Sequence, residues 1–308
     1  MKVIRDLKNF TNSQKTVVTI GTFDGVHIGH QKILKQLVDT ARKQKLSSVV
    51  LTFFPHPRMI LQKEESIQMI DTLDEKIQWL EKLGVDILVV HPFTIAFSRT
   101  SAIAFARDIL SEQLQCQRVI IGYDHRFGRN REGGLKEMIQ FAETYNFKLE
   151  EIPPQDIEDS IVSSTKIRKA LLDGDVHLAK EYLGDLYTIS GKVEEGLQRG
   201  TTIGYPTANV RVGSSFKLIP KNGVYAVWVY IDKIRYTGML NIGYNPTFED
   251  KKWSMEVHIL NFNKNIYHHT ILISFHSRIR DEMKFENVTS LVNQLTKDEK
   301  KIRSILGI

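Results

Sequence analysis

The run Thr16-Val-Val-Thr-Ile-Gly21 leads directly into Thr22-Phe-Asp-Gly-Val-His-Ile-Gly-His30, and this stretch decides the fold of the first half of the chain. The first part is mostly β-branched, which is typical of a strand covered on both faces. The glycines of the second part allow a tight turn with free backbone N–H groups, and a helical pattern follows. Strand, turn and helix in this order predict one unit of a parallel α/β sheet.

The same alternation continues to about residue 150. Thr72-Leu-Asp-Glu75 has the spacing of a capping box that begins a helix, and Gly84 ends that helix. The sequence therefore predicts a Rossmann-like parallel sheet with ligands at the carboxyl ends of its strands. Its further predicted strands are Ser48–Phe53, Asp86–Val90 and Arg118–Gly122, with amphipathic segments near 30–44, 72–83 and 101–115.

After about residue 185 short strands dominate, which favours an antiparallel β-barrel. Only the stretch from Val288 to Ile305 has a helical pattern there, so we expect one C-terminal helix to close the barrel. We place two domains at 1–184 and 185–308, with a segment from 150 to 184 that joins them. The predicted barrel strands are Tyr187–Glu194, Gly223–Ile231, Arg235–Asn241, Met255–Phe262 and Thr270–Phe275.

The composition of the 308 residues limits the kind of protein. A net charge of +6 favours anionic partners such as nucleotides, nucleic acid or acidic membrane surfaces, without choosing among them. Cys116 is the only cysteine, which excludes an internal disulfide and fits a reducing compartment. The N-terminal residues are polar, and the apolar runs are too short to span a bilayer. We therefore expect a cytoplasmic protein that does not act at a membrane.

His27 and His30 are three residues apart at the start of the predicted helix, so their rings share one face. Two imidazoles beside free N–H groups and the positive end of a helix dipole form an anion site, and a triphosphate is its natural occupant. The simpler interpretation is a pair of surface histidines at a helix cap. The chain has neither a G-x-x-x-x-G-K-[ST] loop nor a G-x-G-x-x-G motif after a strand, so ATP use depends on another element.

A second set of motifs carries hydroxyl and amide side chains. Ile161-Val-Ser-Ser-Thr-Lys-Ile-Arg168 brings three hydroxyls and an arginine to a helix start, where they either cap the helix or bind phosphate. In Gly200-Thr-Thr-Ile-Gly-Tyr-Pro-Thr-Ala-Asn209, the extended backbone after the proline directs Thr207 and Asn209 to one side of a strand. These two side chains either complete the octahedron of Mg²⁺ or form the polar edge of a hairpin.

The His-Ile-Gly-His tetrad at 27–30 resembles the HxGH signature of the nucleotidyltransferase superfamily, whose members attack the α-phosphate of ATP. Together with the S-S-T-x-I-R element, it is similar to the FMN adenylyltransferases. The resemblance implies catalytic roles for His27, His30 and Arg168, ATP binding by Gly21, Thr22, Phe23, Asp24, Gly29, Ser163, Ser164 and Thr165, and flavin binding by Pro55, His56, Pro57, Asp124, Arg126 and Phe127. His125 departs from that family's usual phenylalanine.

The Pro-Thr-Ala-Asn run at 206–209 resembles the riboflavin kinase signature, and the elements around it follow in that family's order. The resemblance implies that Glu256 takes the proton of the ribityl 5′-hydroxyl, although the default for a single glutamate is a solvent-facing residue. It implies metal binding by Thr207 and Asn209, a loop over the ATP phosphates from Gly191, Lys192, Val193, Arg199 and Gly200, and flavin binding by Arg280 and Glu282.

The chain is thus identified as a member of the bacterial-type bifunctional riboflavin kinase/FMN adenylyltransferases. This membership implies Mg²⁺ as cofactor and riboflavin, FMN, FAD, ATP, ADP and pyrophosphate as substrates and products, with no nucleic acid or membrane partner. Two other hypotheses remain: adenylyl transfer to a different small acceptor, and a basic protein without enzymatic activity that binds RNA or senses flavin. The first leaves the Pro-Thr-Ala-Asn run unexplained, and no aromatic RNA-binding pair or zinc module supports the second.

Overall fold

The computed structural model describes residues 1–61, 67–123, 125–153, 162–196, 199–244 and 252–308. These residues form two compact units, Met1–Ser164 and Thr165–Ile308. Each unit has a sheet architecture of its own and is described separately below.

The first unit contains a sheet of six parallel strands in the order β1-β4-β3-β2-β5-β6. The four strands that the sequence predicted form its interior. The two edge strands were missed, because Lys2–Arg5 is only four residues long and Lys148–Ile152 is largely polar. The strands are β1 Lys2–Arg5, β2 Thr16–Ile20, β3 Ser47–Phe53, β4 Ile87–His91, β5 Cys116–Gly122 and β6 Lys148–Ile152.

Both faces of this sheet are covered. Val17 and Val50 belong to the apolar cluster on one face, whereas Val18 and Val49 belong to the cluster on the other. Alternate residues of one strand therefore enter different cores, which explains why the strands lack a polar side. The helices are α1 Ile28–Gln44, α2 Pro57–Leu61, α3 Leu73–Lys82, α4 Ile95–Ser98, α5 Ala102–Ala104 and α6 Leu135–Thr144.

The capping box predicted at Thr72 is present. The Glu75 backbone N–H donates to Thr72 Oγ1 over 3.2 Å, and the Thr72 N–H donates to Glu75 Oε2 over 2.8 Å. The helix ends at Lys82 with Leu83 as its C-cap, and Gly84 follows with a φ of 82°. The segment predicted as helical from 101 to 115 differs in detail, because Phe105–Gln113 is a π-helix that continues from α5.

The second unit contains a closed antiparallel barrel in the order β10-β11-β8-β7-β12-β9. Its strands and final helix confirm the predicted fold class. Two details differ: Ala208–Val212 is an additional strand, and the short helix Arg199–Thr202 precedes it. The strands are β7 Thr188–Glu194, β8 Ala208–Val212, β9 Gly223–Ile231, β10 Ile234–Gly243, β11 Ser254–Ile259 and β12 Thr270–Arg280. The helices are α7 Ser164–Asp173, α8 Val176–Leu183, α9 Arg199–Thr202 and α10 Val288–Leu306.

The C-terminal helix α10 packs on the barrel through one stripe. Ile302 is fully buried, and Leu295 and Leu306 pack beside it against a cluster that includes Val224 and Ala226 of β9. Among the helices that the structure describes, none is both long and apolar enough to cross a bilayer.

Candidate functional sites

In the first unit, the turn between β2 and α1 lies at the carboxyl end of a central strand. The Gly21 N–H donates to Leu51 O over 3.0 Å, so the turn begins where β2 leaves the sheet. Phe23, Gly25 and Val26 all have positive φ, at 46°, 86° and 30°. The turn that the sequence predicted is therefore present, with two residues other than glycine in the left-handed region.

His27 and His30 are brought together as predicted. Their rings stack with centroids 3.6 Å apart and planes 20° from parallel. His27 is the N-cap of α1, where its Nδ1 accepts the His30 backbone N–H over 3.3 Å. The helix-cap interpretation and the anion-site interpretation are thus compatible, because the capping ring and its neighbour both lie at the helix N-terminus.

The His30 imidazole is neutral at physiological pH. Desolvation lowers the pKa of His30 well below its ordinary value of 6.5, and the charges of His27 and Lys76 lower it further. Its Nδ1 is buried and has no hydrogen-bond partner in the part of the chain that the structure describes. A neutral ring of this kind can donate one N–H to a phosphate oxygen without the cost of burying a second positive charge.

Asp24 has a structural role at this turn. Its carboxylate is buried and accepts the backbone N–H groups of Ile70 and Asp71 over 3.0 and 3.3 Å. Its backbone carbonyl accepts the Ser164 hydroxyl over 2.9 Å, which ties the Ser-Ser-Thr element to the turn.

Lys76 is a residue of this site that the sequence interpretation missed. Its ammonium is buried beneath the turn and donates to Thr22 O over 2.6 Å. Burial lowers the pKa of Lys76 from its ordinary value, and the carboxylates of Asp24 and Asp71 oppose this shift. The sequence feature that could have identified Lys76 as buried is its position on α3, four residues before Leu80 and therefore on the apolar face of the helix.

The predicted flavin loop Pro55-His-Pro57 follows β3 and leads into α2. All three residues are half-buried, and His56 Nδ1 accepts the Arg58 backbone N–H over 3.2 Å. A cluster of aromatic rings, which the sequence interpretation also missed, lies next to this loop at the ends of β3 and β4. Its members are Phe53, His91, Phe93 and Phe97, with ring centroids 4.5–5.8 Å apart.

The predicted flavin-binding residues of the loop after β5 lie in different environments. Asp124 lies outside the described residues. Arg126 is exposed, and its guanidinium lies over Gly134, where an added Cβ would come within 2.6 Å of it. Phe127 belongs to the hydrophobic core, and the His125 ring stacks parallel to it at 6.1 Å. Arg126 is therefore available to a ligand, whereas Phe127 mainly supports the loop.

In the second unit, Glu256 is surrounded by predicted site residues on neighbouring strands. It lies on β11 directly opposite Asn209 of β8 and Asn241 of β10. Thr207 Oγ1 donates to Glu256 Oε2 over 3.1 Å, and Ser254 Oγ donates to Oε1 over 2.8 Å. The Glu256 carboxylate is half-buried and oriented by these two hydroxyls.

The residues predicted to form a loop over the ATP phosphates lie in different elements. Gly191, Lys192 and Val193 are within strand β7 rather than in a loop, and the Val193 side chain is in the core. Gly200 belongs to α9, where an added Cβ would come within 2.1 Å of the Tyr205 carbonyl. The side chain of Arg199 lies outside the described part of the structure.

Glycine also makes room for Asn209. An added Cβ at Gly196 would lie only 1.9 Å from Asn209 Nδ2. The chain after β7 thus passes directly over the Asn209 amide, in a register that also pairs Asn209 with Glu194.

Of the two predicted flavin residues on this unit, Arg280 has an evident structural role. Its Nε donates to Asp298 Oδ2 over 2.8 Å, and the Asp298 side chain is only 4% exposed. Glu282 accepts the Tyr244 backbone N–H over 2.9 Å and the Asn222 side-chain amide over 3.3 Å. Glu282 therefore joins the start of β9 to the end of β10, at the end of the barrel that holds Glu256.

The remaining predicted residues are on α1 and α7. Gly29 is buried in the first turn of α1, and Thr165 and Arg168 lie in the first half of α7, within the second unit. Ser163 immediately precedes α7. Among the described residues there is no cluster of three or more histidine, cysteine or acidic side chains that could hold a metal. A metal at either site would take most of its ligands from substrate and water.

Comparison with known proteins gives a family match for each of the two halves of the chain. The family model described as FAD synthetase matches residues 9–166, and the model described as riboflavin kinase matches residues 183–306. A bifunctional riboflavin kinase/FMN adenylyltransferase of Listeria monocytogenes is 39% identical over 94% of this chain and 92% of its own. The Escherichia coli K12 protein of that name is 33% identical over 100% of this chain and 99% of its own.

A solved structure matches this chain over nearly its full length. It is titled as a macrolide-efflux protein from Streptococcus pneumoniae and matches with a TM-score of 0.89 at 32% identity, covering 98% of this chain and 99% of its own. The match supports the fold over the full length. The two family models and the curated relatives agree with one another on activity, in the domain order that the motifs predicted.

Proposed function

Because this chain belongs to the family of bifunctional riboflavin kinase/FMN adenylyltransferases, it phosphorylates riboflavin to FMN and adenylylates FMN to FAD, and we propose which residues carry out each reaction. We assign FAD synthesis to residues 1–184 and FMN synthesis to residues 185–308. The start of the riboflavin kinase match at residue 183 supports this boundary.

For FAD synthesis, we propose that the turn after β2 and the stacked His27–His30 pair bind the triphosphate of ATP. A phosphate oxygen of FMN attacks the α-phosphorus, the bond to the bridging oxygen of the β-phosphate breaks, and pyrophosphate leaves with that electron pair. The FMN phosphate is itself the nucleophile, so the enzyme needs no activated side chain. The observation that carries this proposal is the pair of stacked imidazoles at the N-terminus of α1, which suits charge developing on the phosphates.

Ser163 and Ser164 add hydroxyl groups to this proposed phosphate site within the first unit. The hydrogen bond from Ser164 to the Asp24 carbonyl supports a shared role with the turn. For Thr165 and Arg168 we propose phosphate contacts from the family motif alone. For FMN, we propose contacts from the Pro55-His-Pro57 loop and Arg126, with the aromatic rings beside that loop bordering the flavin.

For FMN synthesis, we propose that Glu256 accepts the proton of the riboflavin 5′-hydroxyl while that oxygen attacks the γ-phosphorus of ATP. The bond to the β-phosphate oxygen breaks and ADP leaves. The two hydroxyls on the Glu256 carboxylate support the role, because they fix its orientation. Phosphoryl transfer to an alcohol needs a metal on the phosphates, positioned reactants and one base near the hydroxyl.

Thr207 and Asn209 fit a Mg²⁺ ion in this site. Both offer uncharged oxygen atoms, and Thr207 donates its hydroxyl hydrogen to Glu256, which leaves the oxygen lone pairs available. When bound, Mg²⁺ would neutralise negative charge on the phosphates. Gly191, Lys192, Val193, Arg199 and Gly200 would then border the ATP, and Glu282 would lie at the flavin end of the site. We also propose a cytoplasmic location, which the single buried thiol of Cys116 supports.

The His30→Ala variant tests the assignment of FAD synthesis. We expect it to form FMN from riboflavin at the normal rate and to lose at least 10²-fold in FAD formation, as for removal of one preorganised donor. Chromatographic separation of the flavin products measures both rates in one sample. Equal losses of the two activities, or a normal rate of FAD formation, would refute the assignment.

A further inference from the structure

The turn from Thr22 to Val26 is strained. Phe23 has a φ of 46° and Val26 a φ of 30°, in a region that bulky and β-branched residues rarely adopt. A residue in this region is strained and persists only where the surroundings hold it. Contacts outside the turn must therefore maintain its shape.

Two side chains hold the carbonyl groups at the ends of this turn. Lys76 Nζ donates to Thr22 O over 2.6 Å, and Gln31 Nε2 donates to Val26 O over 2.9 Å. Lys76 comes from α3 and Gln31 from the first turn of α1. Each contact fixes the position of one carbonyl of the strained turn.

We propose that Lys76 and Gln31 are positioning residues for adenylyl transfer, which hold the strained turn in the form that binds the ATP triphosphate. This inference rests on the proposed role of the turn and of His30. Neither side chain needs to touch the nucleotide. The ammonium of Lys76 also places a buried positive charge beneath the turn, and the carboxylates of Asp24 and Asp71 favour its charged form.

A buried lysine is an expensive way to stabilise a fold. Lys76 is only 4% exposed, so its ammonium loses hydration, whereas an apolar side chain would pack there without that cost. A carbonyl held by a charged donor makes a stronger hydrogen bond than one held by a neutral group. The position of Lys76 is therefore better explained by the geometry of the turn than by the stability of α3.

The test compares Lys76→Met and Gln31→Met with the wild-type chain. Each variant removes one tether and keeps an unbranched side chain, which matches glutamine in length and is one atom shorter than lysine. We expect the KM for ATP in FAD formation to rise at least 10-fold and kcat to fall about 10²-fold, since small misplacements of bound reactants have effects of this size. The KM for FMN should stay within twofold, and FMN formation from riboflavin should not change. Lys82→Met removes an exposed lysine from the same helix and serves as the matched control, with unchanged kinetics.

The separate effects on KM and kcat distinguish positioning from folding. Loss of folded protein lowers kcat and leaves the KM for ATP unchanged, so that pattern in both variants would overturn the proposal, as would normal kinetics. If Lys76→Met does not fold, Gln31→Met alone must raise the KM for ATP, and its failure to do so would overturn the proposal. The His30→Ala variant is measured in parallel. If His30→Ala keeps normal FAD formation, the proposed phosphate site itself is wrong, whereas an impaired His30→Ala beside normal positioning variants refutes only this inference.

Discussion

Replacing Glu256 with glutamine removes the proposed base with little change in shape. The carboxylate accepts one hydrogen bond from Thr207 and one from Ser254, and either hydroxyl can rotate to accept from the new amide. The structural cost is therefore about 1 kcal/mol, the net value of one hydrogen bond. Loss of a general base lowers the rate about 10²–10⁴-fold. At 1.36 kcal/mol for each factor of ten, this corresponds to about 2.7–5.4 kcal/mol on the barrel-catalysed step.

The assay follows FMN formation from riboflavin and ATP, with FAD formation from supplied FMN as the internal control. Ser254→Ala is the matched variant, because it removes one hydrogen bond to the carboxylate and keeps the base. We expect it to lose less than 10-fold in FMN formation. A Glu256→Gln chain that keeps more than a tenth of the wild-type kcat, with the same KM for riboflavin, would refute the role of Glu256 as base.

Three further outcomes follow from buried groups. Asp298→Ala leaves the Arg280 guanidinium without its buried partner, so the free energy of unfolding of the barrel should fall by about 3–5 kcal/mol in denaturant titrations, and a loss below 1 kcal/mol would contradict this. The pKa of His30 is lower in the folded than in the unfolded state, so the unfolded state binds the proton first as the pH falls. The free energy of unfolding of the first unit should therefore decrease below about pH 6.5, by at most about 1.36 kcal/mol per pH unit. This slope should be smaller in His30→Gln, and an unchanged slope would count against a neutral buried His30. Burial raises the pKa of Cys116 to about 12, so iodoacetamide at pH 8 should modify the native chain far more slowly than a free thiol, which mass spectrometry can measure.

The sequence predicted the architecture well because its strands follow simple patterns. Thr16–Ile20 and Ile87–His91 are buried on both faces, so their apolar runs have no competing interpretation. The edge strand Lys148–Ile152 is partly exposed to solvent and carries two glutamates, so its pattern of polar and apolar residues does not differ from that of a loop. The strand Ala208–Val212 was not predicted, because turn residues stand just before it in the sequence. The sequence did predict the extended backbone that directs Thr207 and Asn209 to one side.

Within the sites, local motifs were easier to predict than long-range contacts. The stacking of His27 on His30 follows from a spacing of three residues at a helix start. The contact from Lys76 to the Thr22 carbonyl joins residues 54 positions apart and has no local signature. Arg280 was expected to bind flavin from its motif alone, and its buried partner Asp298 lies 18 residues further along the chain, outside that motif.

Complementation between two inactivated chains tests the central claim that FMN and FAD are made at separate sites. His30→Ala and Glu256→Gln are each incubated with riboflavin, ATP and Mg²⁺, singly and as an equal mixture, and the flavins are separated by chromatography. We predict FMN without FAD from His30→Ala, neither product from Glu256→Gln, and FAD from the mixture, because FMN released by one chain is the substrate of the other. A mixture that forms FMN but no FAD, although Glu256→Gln converts supplied FMN, would contradict the exchange of FMN between two independent sites. If Glu256→Gln fails to convert supplied FMN, the separation of the two activities is itself wrong.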